Sequence, residues 1–518
     1  MASLLPCPQH FDWRGLLLVG AVAFIGAISF QGSRGLYEST EGRYSECARE
    51  TMATGDYDDP ILNGQPHWTK PPLTYVAIMA GMRAFGTSPW GVRAYLVLAM
   101  VLSAGAIWLA GLSIWGPRAG LWAGLVFATS PVMAGAAHVV SSDLLTTLWV
   151  AAAVAAFWRG HACRSPGSLL AMWVFLGLGF LTKGPPALLV PAASLPVASI
   201  LLRRGGAARL PSWLSWAGLG LFLLVGVLWY AKEAQQTPGL LSYWLGDELI
   251  GRNLSGEFNR NPGFYNVFTM YLPILVFGTG PWLLLVVLRG RPLRDWWPAA
   301  NGLSAGAWAA RGSLVAGIAI PFVVFSLSKS KLPLYLAPLF VPLALVLGRM
   351  IDVLIEQGRL KKKTAQIWTV ILLALIIAGK GVMAMQDRPK NMTRLAAALV
   401  PALERERQAS LYTVTERSLN GLEFHLGRLI PFVPSQEVVA HAKQCLRNGE
   451  TPRYVVTKRN WEKMAAASPG NIRIEPLGRH WLLLAPLGPD AAGSNDRSQP
   501  PAGEPSDEHA PTPHEETR

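Results

Sequence analysis

Cysteine is scarce in this chain: 518 residues hold four, Cys7, Cys47, Cys163 and Cys445, far apart and without paired spacing. That spacing indicates neither a zinc site nor a disulfide framework, and it leaves the redox compartment open. Charge is scarce too, at 15% of residues against 51% apolar, a balance that one soluble core of this size cannot hide. His67, His138, His161 and His425 show no ligand spacing and read as structural or solvated side chains rather than metal ligands. The apolar run Phe11 to Phe30 lacks Lys and Arg ahead of it and a small-residue cleavage site after it, so it is expected to be a spanning helix rather than a signal peptide.

What the chain has in abundance is apolar runs near the length of roughly 20 residues that a bilayer-crossing helix needs. Spans are expected near 13–32, 92–113, 119–135, 142–158, 169–182, 185–202, 213–231, 267–288, 311–327, 334–350 and 366–384. The fold class is therefore an α-helical integral membrane bundle of about 11–13 transmembrane helices. With the N-terminus inside, Arg118, Arg159, Arg164, Arg203, Arg204, Arg289, Arg349 and Lys361 to Lys363 all fall in inside loops, as membrane orientation demands. That dispersal also explains the net charge of +14 without nucleic acid, which is excluded as a partner.

The opposite loops hold every motif-like stretch: 33–91, Ser141-Ser142-Asp143, Thr182 to Pro186, 232–266, and Ser328 to Pro333. In the first, Ser39 or Thr40 can cap a helix with Tyr44, Ala48 and Met52 on one face and Gly55 at its end. Residues 73–86 are apolar but too short to span, and read as an interfacial helix. The domain organisation expected is a membrane domain over 1–386, a soluble α/β domain over 387–487 on the motif face, and a tail over 488–518 too rich in Pro, Gly and acid to order itself.

Lys70, Lys183, Lys329 and Lys331, with Arg43, Arg252 and Arg260, are cations on the face where orientation calls for few. Any one lysine near a span end can snorkel to the interface. Several on one face point to an anionic ligand at membrane depth, most simply a lipid phosphate or diphosphate. Tyr335 lies just inside the span after Lys331, where its hydroxyl can reach the same anion. Glu41, Glu38, Asp143 and the pair Asp247-Glu248 are the acids of this face; each reads as a base for an attacking hydroxyl, a ligand for a divalent ion, or a salt-bridge partner. Glu41 stands out, because it neighbours Arg43 and Tyr44 and shares its loop with Lys70.

These residues resemble the GT-C fold polyprenyl-phosphate-sugar glycosyltransferases, the superfamily of the protein O-mannosyltransferases and the lipid A aminoarabinose transferases. The matching pieces are Glu41 to Glu46 with Ala48-Arg49-Glu50, Leu62-Asn63-Gly64, Lys70 to Leu73, Leu181 to Pro185, Gly280-Pro281-Trp282, and Phe325 to Tyr335. The resemblance implies a polyprenyl-phosphate-linked sugar donor, an inverting transfer, and a lipid A, glycolipid or protein acceptor at the periplasmic face of the bacterial inner membrane. By position it places Arg43, Lys70, Lys183 and Tyr335 on the donor phosphate and Glu41 in an acidic first-loop pair. The pattern departs from the family at two places. Thr40 stands where an Asp is usual, leaving Glu41 or Glu38 as the base. Thr69 precedes Lys70 where an acid is usual and no His occurs between Asn259 and Asn266, so no metal ligand is assigned. A flippase of a lipid-linked substrate is the reading from another class; it calls for inverted repeats and mid-membrane charges, and the charges here sit at one face.

Overall fold

The computed structural model describes residues 7, 11–205, 212–255, 261–290, 304–406, 408–465 and 472–486. Among these, eight helices are long and apolar enough to cross a membrane. They alternate with three further stretches: α1 (Trp13–Ile28), the pair α5 (Pro117–Ala128) and α6 (Pro131–Ala136), and α7 (Asp143–Ala162). Among the described residues these eleven stretches follow the order of the apolar pattern. The chain is thus an α-helical membrane bundle with a small α/β unit near its C-terminus.

Short polar punctuation sets the helix ends. Gly116 at φ +100° precedes Pro117, Ser130 precedes Pro131, and Ser165 precedes Pro166 at the start of α8 (Pro166–Lys183). Proline suits a first helical position because its missing N–H has no partner there anyway. Ser130-Pro131 is also why the span expected over 119–135 is two helices, with the Ser130 hydroxyl donating to the Gly278 carbonyl at 2.9 Å. Inside the bundle, small residues bring backbones together. A Cβ on Gly111 of α4 (Ala94–Trp115) would lie 2.8 Å from the Gly120 Cα of α5, a contact that only glycine permits.

Helix α4 packs on α1, α5 and α7, while α9 (Leu189–Arg204) packs on the Ala305–Leu327 span. Trp108, Trp158, Trp282 and Phe157 are fully enclosed between helices. The Trp282 indole donates to the Thr129 hydroxyl at 2.9 Å, which satisfies a polar group where no water is at hand. Leu224, Val276, Phe277, Leu288, Val370 and Leu375 stay exposed, as a lipid-facing surface requires. A disulfide joins Cys7 to Cys163, which the sequence spacing did not indicate. It ties the segment before α1 to the end of α7, putting both on one face.

The second unit comprises Ala402–Ser418 and the chain from Pro431 onward. Its five strands run in the order β4 (Phe432–Val433), β3 (Ser410–Val414), β5 (Pro452–Thr457), β7 (Trp481–Pro486), β6 (Ile472–Leu477). β3 pairs in parallel with β4 and β5, and β7 is antiparallel to β5 and β6. Val414, Tyr454, Val456, Leu482 and Leu484 form the core of this unit. The tail over 488–518 lies outside the described residues.

Candidate active site

The first loop is built from two helices and a hairpin. Helix α2 (Thr40–Thr54) ends at Gly55 with φ +76°, and Asn63 and Gly64, at φ +56° and +70°, turn β1 (Ile61–Leu62) into β2 (Gln65–Pro66). Asn-Gly is the sequence that such a two-residue turn favours. The Glu50 carboxylate accepts from both turn amides, at 3.1 and 2.8 Å, and so anchors the hairpin to α2. The chain leaving the hairpin carries Trp68, Thr69 and Lys70 before Pro71-Pro72 starts α3 (Leu73–Phe85), the short apolar helix expected over 73–86.

These residues form one wall of a cavity of about 280 Å³. Lys70 lines it from the first loop, Lys183 from the end of α8, and Tyr335 and Ser328 from either side of the Ser328-to-Pro333 turn. The Lys183 ammonium sits 4.8 Å from the centre of the Tyr335 ring and is hydrogen-bonded to the Asp143 carboxylate. Lys70 stands 3.6 Å from Glu248, a cavity-lining carboxylate that also accepts from the Tyr243 hydroxyl at 3.4 Å. The remaining lining is aromatic and aliphatic: Trp68, Phe180, Tyr230, Trp244, Leu241 and Leu245. Tyr230 packs edge-on against Trp244 with centroids 4.9 Å apart, and the Trp244 indole donates to the Trp68 carbonyl at 3.0 Å. The result is a slot that two cations line and whose remaining walls suit an isoprenoid or another apolar chain.

Arg43 is half-buried, and its side chain makes no hydrogen bond or ion pair among the described residues. Its charge reaches His67, whose pKa falls to about 4, chiefly through burial and then through Arg43 and Lys70. His67 is therefore neutral at physiological pH between two cations.

Other expected site residues are placed elsewhere. Glu41 does not line the cavity. Its Oε1 takes Arg34 at 2.6 Å, Arg93 at 3.0 Å and the Val140 amide at 3.1 Å, and its Oε2 takes the Tyr37 amide at 3.0 Å. Burial would raise its pKa, but Arg93 and Arg34 outweigh that and the net shift is downward. A carboxylate so placed, 3% exposed and held by two guanidinium groups, is the joint of three loops rather than a base facing an acceptor. Glu38 accepts from the Gly421 amide. Lys331 is 2% exposed and donates to the carbonyls of Ser328 at 2.6 Å and Pro262 at 3.1 Å, so it closes the turn instead of lining the cavity. Lys329 is exposed and also outside the lining. Arg260 and the Arg252 side chain lie outside the described residues.

Sequence reading missed Arg34, Arg93 and the aromatic wall. Two buried arginines flanking one acid, and tryptophans brought together from separate loops, are invisible as a site until the loops close. The cavity offers Glu248 but no histidine, and no group of three metal-ligating side chains forms among the described residues. This donor set does not fit a divalent ion held by three protein ligands.

Residues 69–230 match the dolichyl-phosphate-mannose-protein mannosyltransferase family model. The chain is 32% identical over 326 residues to an undecaprenyl phosphate-α-4-amino-4-deoxy-L-arabinose arabinosyl transferase of Edwardsiella ictaluri, a match that covers 60% of this chain and 55% of that one. It thus spans little more than half the length of such curated relatives. Crystal structures of ArnT from Cupriavidus metallidurans are similar at 20% identity. The undecaprenyl phosphate-bound form gives a TM-score of 0.68 over 92% of this chain and 98% of that one, and the apo form 0.70 over 91% and 97%. The chain therefore has the GT-C membrane fold of the polyprenyl-phosphate-sugar glycosyltransferases, as the resemblance in its loops implied.

Proposed function

We propose that this protein transfers a sugar from a polyprenyl phosphate to a lipid acceptor, a lipid A headgroup first among them, at the periplasmic face of the bacterial inner membrane. The observation that carries the reading is the convergence of Lys70, Lys183 and Tyr335 on one cavity whose other walls are apolar and aromatic. A polyprenyl phosphate has the complementary form, an anionic head on an isoprenoid chain. The relatives named for undecaprenyl phosphate-linked aminoarabinose transfer support the same donor class.

In this reading Lys70 and Lys183 hold the donor phosphate, with Arg43 approaching from α2 and the Tyr335 hydroxyl donating a hydrogen bond. As the glycosidic C–O bond breaks, the phosphate gains charge, and fixed cations stabilise that charge more than the ground state. Asp143 holds the Lys183 ammonium in place. Glu248 is the lining carboxylate positioned to take a proton when the acceptor is a hydroxyl; an acceptor phosphate is already ionised and needs no such base.

The test is reconstitution. The purified protein, given an undecaprenyl-phosphate-linked pentose or hexose and lipid A, should release undecaprenyl phosphate and yield a lipid A heavier by one sugar in mass spectra. Lipid A of identical mass with and without the protein, together with no binding of undecaprenyl phosphate, would refute the reading.

A further inference from the structure

We propose that the junction behind the first loop holds a buried halide ion, chloride under cellular conditions, accompanied by at least one water. Nothing in the proposed sugar transfer calls for it, and the site is distinct from the cavity.

Five parts of the membrane unit meet there: the loop after α1, the start of α2, the residue preceding α4, the turn after α6, and the Lys362–Met385 span. They bring together Arg34, Arg93 and Lys380, which are 3%, 0% and 5% exposed. Among the described residues one carboxylate, Glu41, stands against these three cations, and Lys380 forms no ion pair. Backbone carbonyls supply part of the compensation. Arg93 donates to the Arg34 carbonyl at 2.6 Å and the Gly35 carbonyl at 2.9 Å, and Lys380 caps the end of α1 through the Gly26 and Ala27 carbonyls, both at 2.9 Å. Carbonyl dipoles leave the net charge where it was. Buried charge without a counter-charge costs several kcal/mol per ion, so a surplus of cations at this depth favours uptake of an anion.

Unpartnered polar atoms in the same junction show where it would bind. The Arg34 Nε and both ring nitrogens of His138, which is 2% exposed, have no hydrogen-bond partner among the described residues. Arg34 donates to the His138 carbonyl at 2.6 Å, and Gln31, which bonds the Ala137 and Arg93 carbonyls, follows four residues after the Ala27 carbonyl that Lys380 caps, so these groups share one neighbourhood. A third ammonium hydrogen of Lys380, the Arg34 Nε–H and one imidazole N–H are donors, which is what a halide requires. Gln31 Oε1 is also unpartnered, and its amide nitrogen is already committed to the Ala137 carbonyl at 2.7 Å and the Arg93 carbonyl at 3.3 Å. An acceptor cannot face an anion directly, hence the water.

The consequence reaches the cavity through one short turn. His138 gives its carbonyl to Arg34 at 2.6 Å, Val140 gives its amide to Glu41, and Asp143 follows at the start of α7 in contact with Lys183. An ion that fixes His138 fixes the turn carrying Asp143.

The experiment uses the purified full chain. At constant ionic strength, replacing gluconate by chloride or bromide should raise the apparent melting temperature with a saturating dose dependence. Bromide-soaked crystals should show an anomalous peak within hydrogen-bonding distance of Arg34 Nε and His138. Lys380→Met and His138→Gln should abolish the chloride-dependent rise. The wild-type bromide signal serves as the independent readout where a variant does not fold. Equal melting in chloride and gluconate, or density at the junction without an anomalous signal, would overturn the proposal in favour of water alone.

Discussion

Asp143 and Lys183 form an ion pair between the first turn of α7 and the last turn of α8, and Lys183 in turn faces the Tyr335 ring at 4.8 Å. The pair places an anion behind a cation that lines the cavity. Its two members therefore have opposite consequences when neutralised.

Lys183→Met should weaken undecaprenyl phosphate binding about tenfold to a hundredfold, the span of a hydrogen bond to a charged group worth roughly 1.5–3 kcal/mol. Asp143→Asn removes a competitor for the ammonium and should leave that affinity unchanged or tighter while lowering turnover. Isothermal titration of both variants with undecaprenyl phosphate checks this. Equal weakening in the two would make the pair a structural clamp only.

Glu41→Gln keeps shape and removes the one carboxylate shared by Arg34 and Arg93. Breaking a buried pair from one side typically costs about 3–5 kcal/mol, so the variant should melt well below wild type. What protein remains folded should bind undecaprenyl phosphate normally. A variant of unchanged stability with turnover lowered 10²–10⁴-fold, roughly the range for losing a general base, would instead restore Glu41 as a catalytic group.

Glu248→Gln should spare donor binding. If the acceptor is a hydroxyl, turnover should fall by roughly 10²–10⁴-fold. With a phosphate acceptor, the loss should be less than about tenfold, since no proton has to be removed. A comparable loss with both acceptor classes would assign Glu248 to positioning Lys70.

His67 carries a pH signature. Its folded pKa, near 4, lies below the usual value of 6.5, so between those limits the unfolded chain binds more protons than the folded one. Stability should therefore fall as pH drops from 6.5 toward 4 and be flat above 6.5. Burial also pushes His425 down to about 4, so His67→Gln should lessen rather than remove this slope in melting temperatures measured across the window. An identical slope in the variant would locate the titration elsewhere.

Much of the membrane architecture was legible in the sequence because hydropathy and the inside placement of Arg and Lys are local, one-dimensional signals. The short apolar helix at Leu73–Phe85 could be read from the same short-range rules. The site was legible only in part. Lys70, Lys183 and Tyr335 do share a cavity, whereas Lys331 turns inward to carbonyls and Glu41 is enclosed by arginines.

By itself, then, the sequence determined which residues lie at the motif face, since a bilayer leaves each loop only two sides to choose from. It could not determine which of those charges face a ligand and which face one another. That was decided by tertiary structure: Glu41 and Arg93 are 52 residues apart, and Asp143 and Lys183 are 40 apart. Coulomb energy in a low-dielectric interior depends on separations of a few ångströms, which no spacing along the chain encodes.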